Sequence, residues 1–145
     1  LGFLDVSNKT AISKDQMDKW VKEGVINYLG TSNNVRNEIS QCDCIVLPSF
    51  YREGTPRTLL ESASMAKPII TTDNIGCKDV VDHNINGYLC EVKNAKDLEI
   101  QIEKMINLSE EERRIMGQKG RDKIINEYDE SIVIDKYLKK IKSLI

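Results

Sequence analysis

The sequence predicts an α/β fold in which an open parallel sheet is flanked by helices and followed by a helical carboxyl-terminal tail. Three observations carry this. Short apolar runs (Cys44–Leu47, Pro68–Thr71, Tyr88–Val92) alternate with segments of helical period. The run Cys44-Ile45-Val46-Leu47 is apolar at every position, which predicts a strand covered on both faces, as parallel strands between helices are. Beyond Ala95 the strand signals stop and three helical stripes follow. Strands and helices in alternation with short links build open parallel sheets with right-handed crossovers.

Taken in order, Leu1-Gly2-Phe3-Leu4 reads as the end of a strand whose beginning is missing, and with Leu as first residue it suggests a piece of a longer chain. Thr10 to Gly24 places Ile12, Met17, Trp20 and Val21 on one face of a helix stopped by Gly24. Val25–Leu29 reads as a strand. Gly30–Asn33 is turn-rich, and Val35 with Ile39 marks a short helix to Gln41. After the strand Cys44–Leu47 comes a polar loop, Ser49–Arg57, then a helix from Thr58 to Ala66 and the strand Pro68–Thr71. Asn86-Gly87 turns the chain into Tyr88–Val92. The three later stripes are Leu98, Ile102, Met105 and Ile106; Ile115, Met116, Ile124 and Ile125; and Ile134, Leu138, Ile141 and Ile145. No repeat, low-complexity tract or linker interrupts the chain, so residues 1–145 are read as one domain.

Composition narrows the function. The 145 residues carry 21 Lys plus Arg against 23 Asp plus Glu, with 40% hydrophobic and 30% charged residues. A chain of this length buries enough surface to hold a core without disulfides or metal. A formal net charge of −2 gives none of the basic excess that phosphate-backbone binding needs, so nucleic acid is not an expected partner. The longest apolar runs are far short of the roughly 20 residues of a membrane span, and no signal peptide is expected. Cys42, Cys44, Cys77 and Cys90 lack metal or redox spacing and read as reduced core or near-core thiols of a cytosolic protein. Lys136, Lys139, Lys140 and Lys142 on the last stripe read as a solvated face, with contact to an anionic membrane surface as the other reading.

Chemistry concentrates after Leu47. Ligands of open α/β sheets sit outside the carboxyl ends of strands, and the loop Pro48–Arg57 leaves such an end. Thr55 as N-cap and Pro56 as first helical residue would start a helix there, with the amides of Arg57, Thr58 and Leu59 and the positive dipole end facing the mouth. That arrangement binds phosphate. Glu53 and Glu61 flank it. On one strand-loop-helix unit they do not face each other across a scissile bond as glycosidase carboxylates do. They suit the acceptance of hydrogen bonds from ribose or sugar hydroxyls; equally, Glu53 reads as a solvated loop charge and Glu61 as a dipole-stabilised helical Glu. Arg57 reads either as a phosphate ligand or as a surface charge. Phe50 and Tyr51 are loop aromatics able to stack on a base or close over a donor, whereas Trp20 and Tyr128 read as packing and His83 as a solvated loop residue.

The stretches Val46-Leu47-Pro48-Ser49, Glu53-Gly54-Thr55-Pro56, Leu60-Glu61-Ser62-Ala63 and Lys67-Pro68-Ile69-Ile70-Thr71-Thr72-Asp73 resemble the retaining GT-B glycosyltransferases of family 4, whose hallmark is two glutamates separated by seven residues. Tyr28-Leu29-Gly30, Gly76-Cys77 with Val80-Val81, and Asn86-Gly87-Tyr88-Leu89 extend the match over the whole chain. The resemblance is nearest to bacterial enzymes that build surface polysaccharides or lipid-linked oligosaccharides, with N-acetylgalactosaminyl or galactosyl transfer as one common task. It implies the Rossmann-like carboxyl-terminal half of a GT-B fold over residues 1–145, binding a nucleotide-diphosphate sugar such as a UDP-sugar for retaining transfer to a glycan or lipid-linked glycan acceptor. Glu53 would be the catalytic-site residue and, with Gly54 and Thr55, would hold the donor sugar. Arg57, Thr58 and Leu59 would hold the phosphates, Glu61 the ribose, and Gly30, Thr31 and Val35 the base. No metal and no cofactor are implied, so positive charge must come from protein. The implied partner is an amino-terminal domain of the same chain, carrying the acceptor site and the phosphate-binding Arg and Lys before Leu1; the chain alone is then expected to be inactive. The implied location is cytoplasmic, with peripheral attachment at the inner face of the cell membrane an option that only the Lys-rich last helix speaks for.

Three departures from the family pattern stand out. Phe50-Tyr51-Arg52 puts three residues between Ser49 and Glu53 where two are usual, Ala66 replaces a common Gly, and Ile75 replaces a common Pro. The alternatives are a non-catalytic nucleotide-binding or docking module and a GT-B nucleotide-sugar epimerase. A phosphorylase would need a pyridoxal-binding lysine, which no motif around Lys67 or Lys78 suggests.

Overall fold

A computed structural model describes residues 2–4, 11–52 and 54–144, and the chain divides into two compact units, residues 1–38 and 39–145. In the first, α1 (Lys14–Lys22) begins where the Ser13 hydroxyl accepts from the Gln16 amide at 3.3 Å. It buries no residue completely; Met17 and Trp20 are half-buried. The expected strand Val25–Leu29 does not form. A strand needs a neighbour along its length, and the described residues supply one backbone bond, from Gly2 N to Gly30 O at 2.9 Å, beside a Tyr28 hydroxyl donating to Gly2 O at 2.7 Å. The strand read at Leu1–Leu4 is likewise absent from its described part, Gly2–Leu4. Asn34 Oδ1 accepts from Asn37 N at 3.2 Å at the start of α2 (Val35–Ser40).

The second unit holds a parallel sheet, β1 (Ile45–Leu47), β2 (Ile69–Thr72) and β3 (Gly87–Cys90), in that spatial order. Ile45 pairs with Ile69 and Leu47 with Thr71; Ile69 pairs with Gly87 and Thr72 with Cys90. The two-residue side-chain period splits the core into two clusters. One gathers Ile69 with Leu59 and Ala63 of α3 (Arg57–Ser64) and Cys77 and Val80 of α4 (Cys77–Val80). The other gathers Ile70 and Tyr88 with Met105 of α5 (Ala95–Asn107) and Met116 of α6 (Glu110–Glu127). The expectation that β1 is covered on both faces is corrected: Val46 is 42% exposed, and β1 is an edge strand among the described residues.

Two glycines set the spacing. A Cβ at Gly87 would lie 2.1 Å from Ile69 O, so β3 approaches β2 as only glycine allows. A Cβ at Gly117 would lie 1.9 Å from Ala66 O, at the close packing of α6 on α3. Small residues therefore define the packed face of α6, and the stripe expected there is displaced: Met116, Gly117 and Gly120 are buried while Ile115 and Ile125 are exposed. Asn86, 3% exposed, accepts from Asp82 N at 2.7 Å and donates to Val80 O at 2.9 Å, locking the turn into β3. The helix α7 (Glu130–Lys142) forms as expected but buries no residue, so its stripe of Ile134, Leu138 and Ile141 is exposed; Ile145 lies outside the described residues. No described helix is long and apolar enough to cross a membrane.

Candidate functional site

The loop after β1 and the start of α3 lie at the carboxyl end of the sheet. Glu53, the residue on which the sequence reading placed most weight, lies outside the described residues. Gly54 and Thr55 precede Pro56, which occupies the N-cap with φ −63° and ψ 126°, and Arg57 opens the helix. The expected cap is thus corrected by one position. Pro56 keeps an extended ψ, so it stays outside the helix and lends its carbonyl to the amides of Leu59 at 3.0 Å and Leu60 at 3.3 Å. The expectation of three free amides narrows as well: Leu59 N is already bonded and its side chain is fully buried. The amides of Arg57 and Thr58 have no acceptor among the described residues, and they sit at the positive end of an eight-residue helix.

One turn on, Glu61 Oε1 accepts from Arg57 Nε at 3.0 Å, an i,i+4 pair whose side chains are 38% and 90% exposed respectively. The pair leaves Oε2 able to accept from a hydroxyl, and it leaves the guanidinium at the helix mouth with further N–H donors. An exposed pair of this geometry is worth only ~0.3–0.5 kcal/mol, so an incoming anion can draw Arg57 away at little cost.

The loop is fastened to the end of β2 by side chains that the sequence reading did not single out. Thr71 Oγ1 donates to Leu47 O at 2.7 Å, Thr72 Oγ1 to Ser49 O, and Asn74 Nδ2 to Tyr51 O at 2.9 Å. These bonds catch every second carbonyl beyond the point where the backbone ladder stops. Only the register Leu47↔Thr71 reveals them; no residue pattern does.

The other sequence-predicted site residues fall elsewhere. Gly30, Thr31 and Val35 belong to the first unit, where Gly30 O takes the Gly2 amide and Val35 opens α2. His83 is exposed, yet its Nδ1 accepts from Leu89 N at 2.8 Å, giving it a structural role beyond that of a solvated loop residue. All four cysteines are free thiols; burial pushes Cys44 up to about 12 and, with the nearby Asp97 charge, raises Cys90. Tyr128 packs as expected, donating to Asp79 O at 2.9 Å.

Comparison with known proteins bears on this geometry. The model of the family described as glycosyl transferases group 1 matches residues 8–123. The N,N'-diacetylbacillosaminyl-diphospho-undecaprenol alpha-1,3-N-acetylgalactosaminyltransferase of Campylobacter jejuni is 33% identical over 121 residues, 83% of this chain and 31% of that protein. The UDP-Gal:alpha-D-GlcNAc-diphosphoundecaprenol alpha-1,3-galactosyltransferase of Escherichia coli is 31% identical over 130 residues, 89% of this chain and 31% of that protein. The chain thus spans about a third of the length of these curated relatives. Among solved structures, Anabaena HepE in complex with UDP superimposes with a TM-score of 0.78 at 18% identity, over 89% of this chain and 35% of that one, a likeness of fold.

Proposed function

Because the chain belongs to the glycosyl transferases group 1 family, we propose that the start of α3 holds the diphosphate of a nucleotide-sugar donor for transfer of a hexosyl or N-acetylhexosaminyl group. The observation that carries the reading is the pair of amides at Arg57 and Thr58, without an acceptor among the described residues, on the dipole end of α3, with the Arg57 guanidinium beside them and the Glu61 carboxylate one turn on. An anion and a donating hydroxyl are recognised within about one turn of helix. In this reading the two amides and Arg57 take the phosphates, and Glu61 takes the ribose hydroxyls. Leu59, assigned to the phosphates from its sequence position, serves by anchoring the helix. Glu53, with Gly54 and Thr55, holds the sugar. UDP is the favoured nucleotide, since the relative in Escherichia coli is named for UDP-Gal and HepE was solved with UDP.

Chemistry follows from charge. As the bond from the anomeric carbon to the diphosphate breaks, negative charge grows on the leaving oxygen. Donors preorganised there stabilise that state more than the ground state, and one such donor typically contributes about 10²–10³ in rate. With retention of configuration, the acceptor oxygen attacks from the face the diphosphate leaves, and the leaving phosphate takes its proton. The acceptor is a lipid-linked or surface glycan, by analogy with the diphospho-undecaprenol acceptors in the relatives' names. An amino-terminal domain of the same chain presents it, at the inner membrane face, with no metal or cofactor required.

Calorimetric titration with UDP, GDP and UDP-sugars tests the reading. Expected are saturable UDP binding, tighter binding of a matching UDP-sugar, and at least a tenfold loss for UDP in Glu61→Ala, about 1.4 kcal/mol. Unchanged UDP affinity in Glu61→Ala overturns the ribose assignment.

A further inference from the structure

We propose that Asn74, together with Thr72, is a positioning residue for the donor sugar. The two side chains fix residues 49–51, and through them Gly54 and Thr55, so their loss costs affinity for the sugar and spares that for the nucleotide. This assignment rests on the donor reading for the identity of the ligand.

The two halves of the site are held by different means. The opening of α3, with the Arg57 and Thr58 amides, is seated on the core through Leu59 and Ala63, both fully buried. The stretch before it has no such seat: Phe50, Tyr51, Arg52 and Gly54 are all exposed. An exposed stretch loses backbone freedom when it is ordered, and only bonds and contacts to its own groups offset that loss.

Asn74 is built as a post for those bonds. Its amide donates to Thr72 O at 2.8 Å, and its carbonyl accepts from Lys78 N of α4 at 3.0 Å. Its Oδ1 accepts from Ile75 N at 2.9 Å, while Nδ2 donates to Tyr51 O at 2.9 Å. The neighbouring Asp73 amide donates to Cys90 O at 2.8 Å, so the post stands on β3 as well as on β2. Thr72, itself 1% exposed, adds the bond from Oγ1 to Ser49 O. The Phe50 ring is engaged by the same assembly: Tyr51 stacks on it with centroids 4.3 Å apart, and Lys93 Nζ lies 4.8 Å from its centroid. The loop that leaves β1 is thus gripped by residues of the two strand ends beside it.

Among the described residues, Gly54 and Thr55 lie between two anchors. One is Tyr51 O, held by Asn74; the other is Pro56 O, bonded to the amides of Leu59 and Leu60. Removing the first leaves the second and the helix it belongs to in place. The two parts of a donor feel that change unequally. Hydrogen bonds to sugar hydroxyls need both distance and angle, whereas the attraction of a diphosphate to a helix end and a guanidinium falls off slowly with distance. Displacing the loop therefore weakens the sugar's hold first.

Two variants remove the donated bonds and leave the rest. Asn74→Asp keeps an oxygen for Ile75 N but has no N–H for Tyr51 O; Thr72→Val keeps the shape without the hydroxyl, and Thr72→Ser restores it. Calorimetry of this chain with UDP, UDP-galactose, UDP-N-acetylgalactosamine and UDP-glucose gives the ratio of the best UDP-sugar's affinity to that of UDP. In Asn74→Asp and Thr72→Val the ratio should fall about two- to tenfold, the range of one hydrogen bond. UDP alone should bind Thr72→Val as it binds the parent, and Thr72→Ser should keep the parental ratio. Amide relaxation without ligand adds an independent readout. Order parameters at Tyr51, Gly54 and Thr55 should drop in both variants from about 0.85 toward 0.6, with Ile69 and Ile70 unchanged. An unchanged ratio, equal losses for UDP and UDP-sugar, or Gly54 and Thr55 as ordered as in the parent overturns the positioning role; UDP shifts at Arg57 and Thr58 then keep the donor reading. A parent chain that binds no nucleotide brings down the donor reading, and the sugar role with it.

Discussion

Gly117 and Gly120 lie three residues apart on α6, both buried on its packed face, and the structure gives their alanine variants opposite signs. In a helix interior, Gly→Ala stabilises by about 1 kcal/mol because it restricts the unfolded chain. At Gly120 the new Cβ would meet Asn86 Cβ at 3.7 Å and Ala63 Cβ at 3.8 Å, ordinary van der Waals contact. The intrinsic gain survives, and Gly120→Ala should be more stable by about 0.5–1 kcal/mol. At Gly117 the Cβ would stand 1.9 Å from Ala66 O and 2.7 Å from its carbonyl carbon, and both are backbone atoms, which cannot swing aside. Helix α6 must retreat from the end of α3. Overpacking of this kind costs about 1–3 kcal/mol and sometimes more; against the helical gain, Gly117→Ala should lose about 1–2 kcal/mol. Urea unfolding followed by circular dichroism measures both, with each kcal/mol moving Tm by ~2–4 °C in a chain of this size. Two variants shifted in the same direction, or Gly117→Ala at parental stability, would refute the reasoning that this backbone contact sets the seat of α3.

Asn86→Ala should cost about 2–3 kcal/mol in the same assay, since it strands the carbonyl of fully buried Val80 and the amide of Asp82 without partners. The backbone amide of Glu91, then the Gln101 side chain, holds the Asp97 carboxyl below its ordinary value, so its contribution is complete above about pH 4 and is lost as pH falls through the depressed folded value. Asp97→Asn should therefore flatten the acid limb of the stability curve and leave neutral pH less affected by further acidification. Cys44, pushed up to about 12 by burial, should resist iodoacetamide at pH 8 in the folded chain, with ~10⁻⁴ of it as thiolate, and react once urea unfolds it.

Elements whose identity depends on their own residues were legible. The apolar runs at β1, β2 and β3 and the helical period of α5 needed no tertiary knowledge. Val25–Leu29 failed the same test because an extended segment becomes a strand only beside a partner. The stripe of α6 was misjudged for a related reason: bulk marks a buried face only where neighbouring backbones stay apart, and Gly117 and Gly120 bring them together. At the site, a helix opening beside Pro56 could be read directly, although its cap falls on Pro56 and not on Thr55. The Pro56 bond to Leu59 N, the grip of Thr72 and Asn74 on the loop, and the Lys93 contact with Phe50 could not, because they depend on the extended ψ of Pro56, on strand register and on a backbone turned to positive φ.

The central claim, that the opening of α3 receives the donor diphosphate, is tested most directly by following backbone amides while UDP is added to the chain. The largest shifts should fall on Arg57 and Thr58, whose N–H groups have no acceptor among the described residues, with Leu59 moving less because Pro56 O already holds its amide. Saturable UDP binding that leaves Arg57 and Thr58 unmoved, with its largest shifts in another part of the chain, would contradict it.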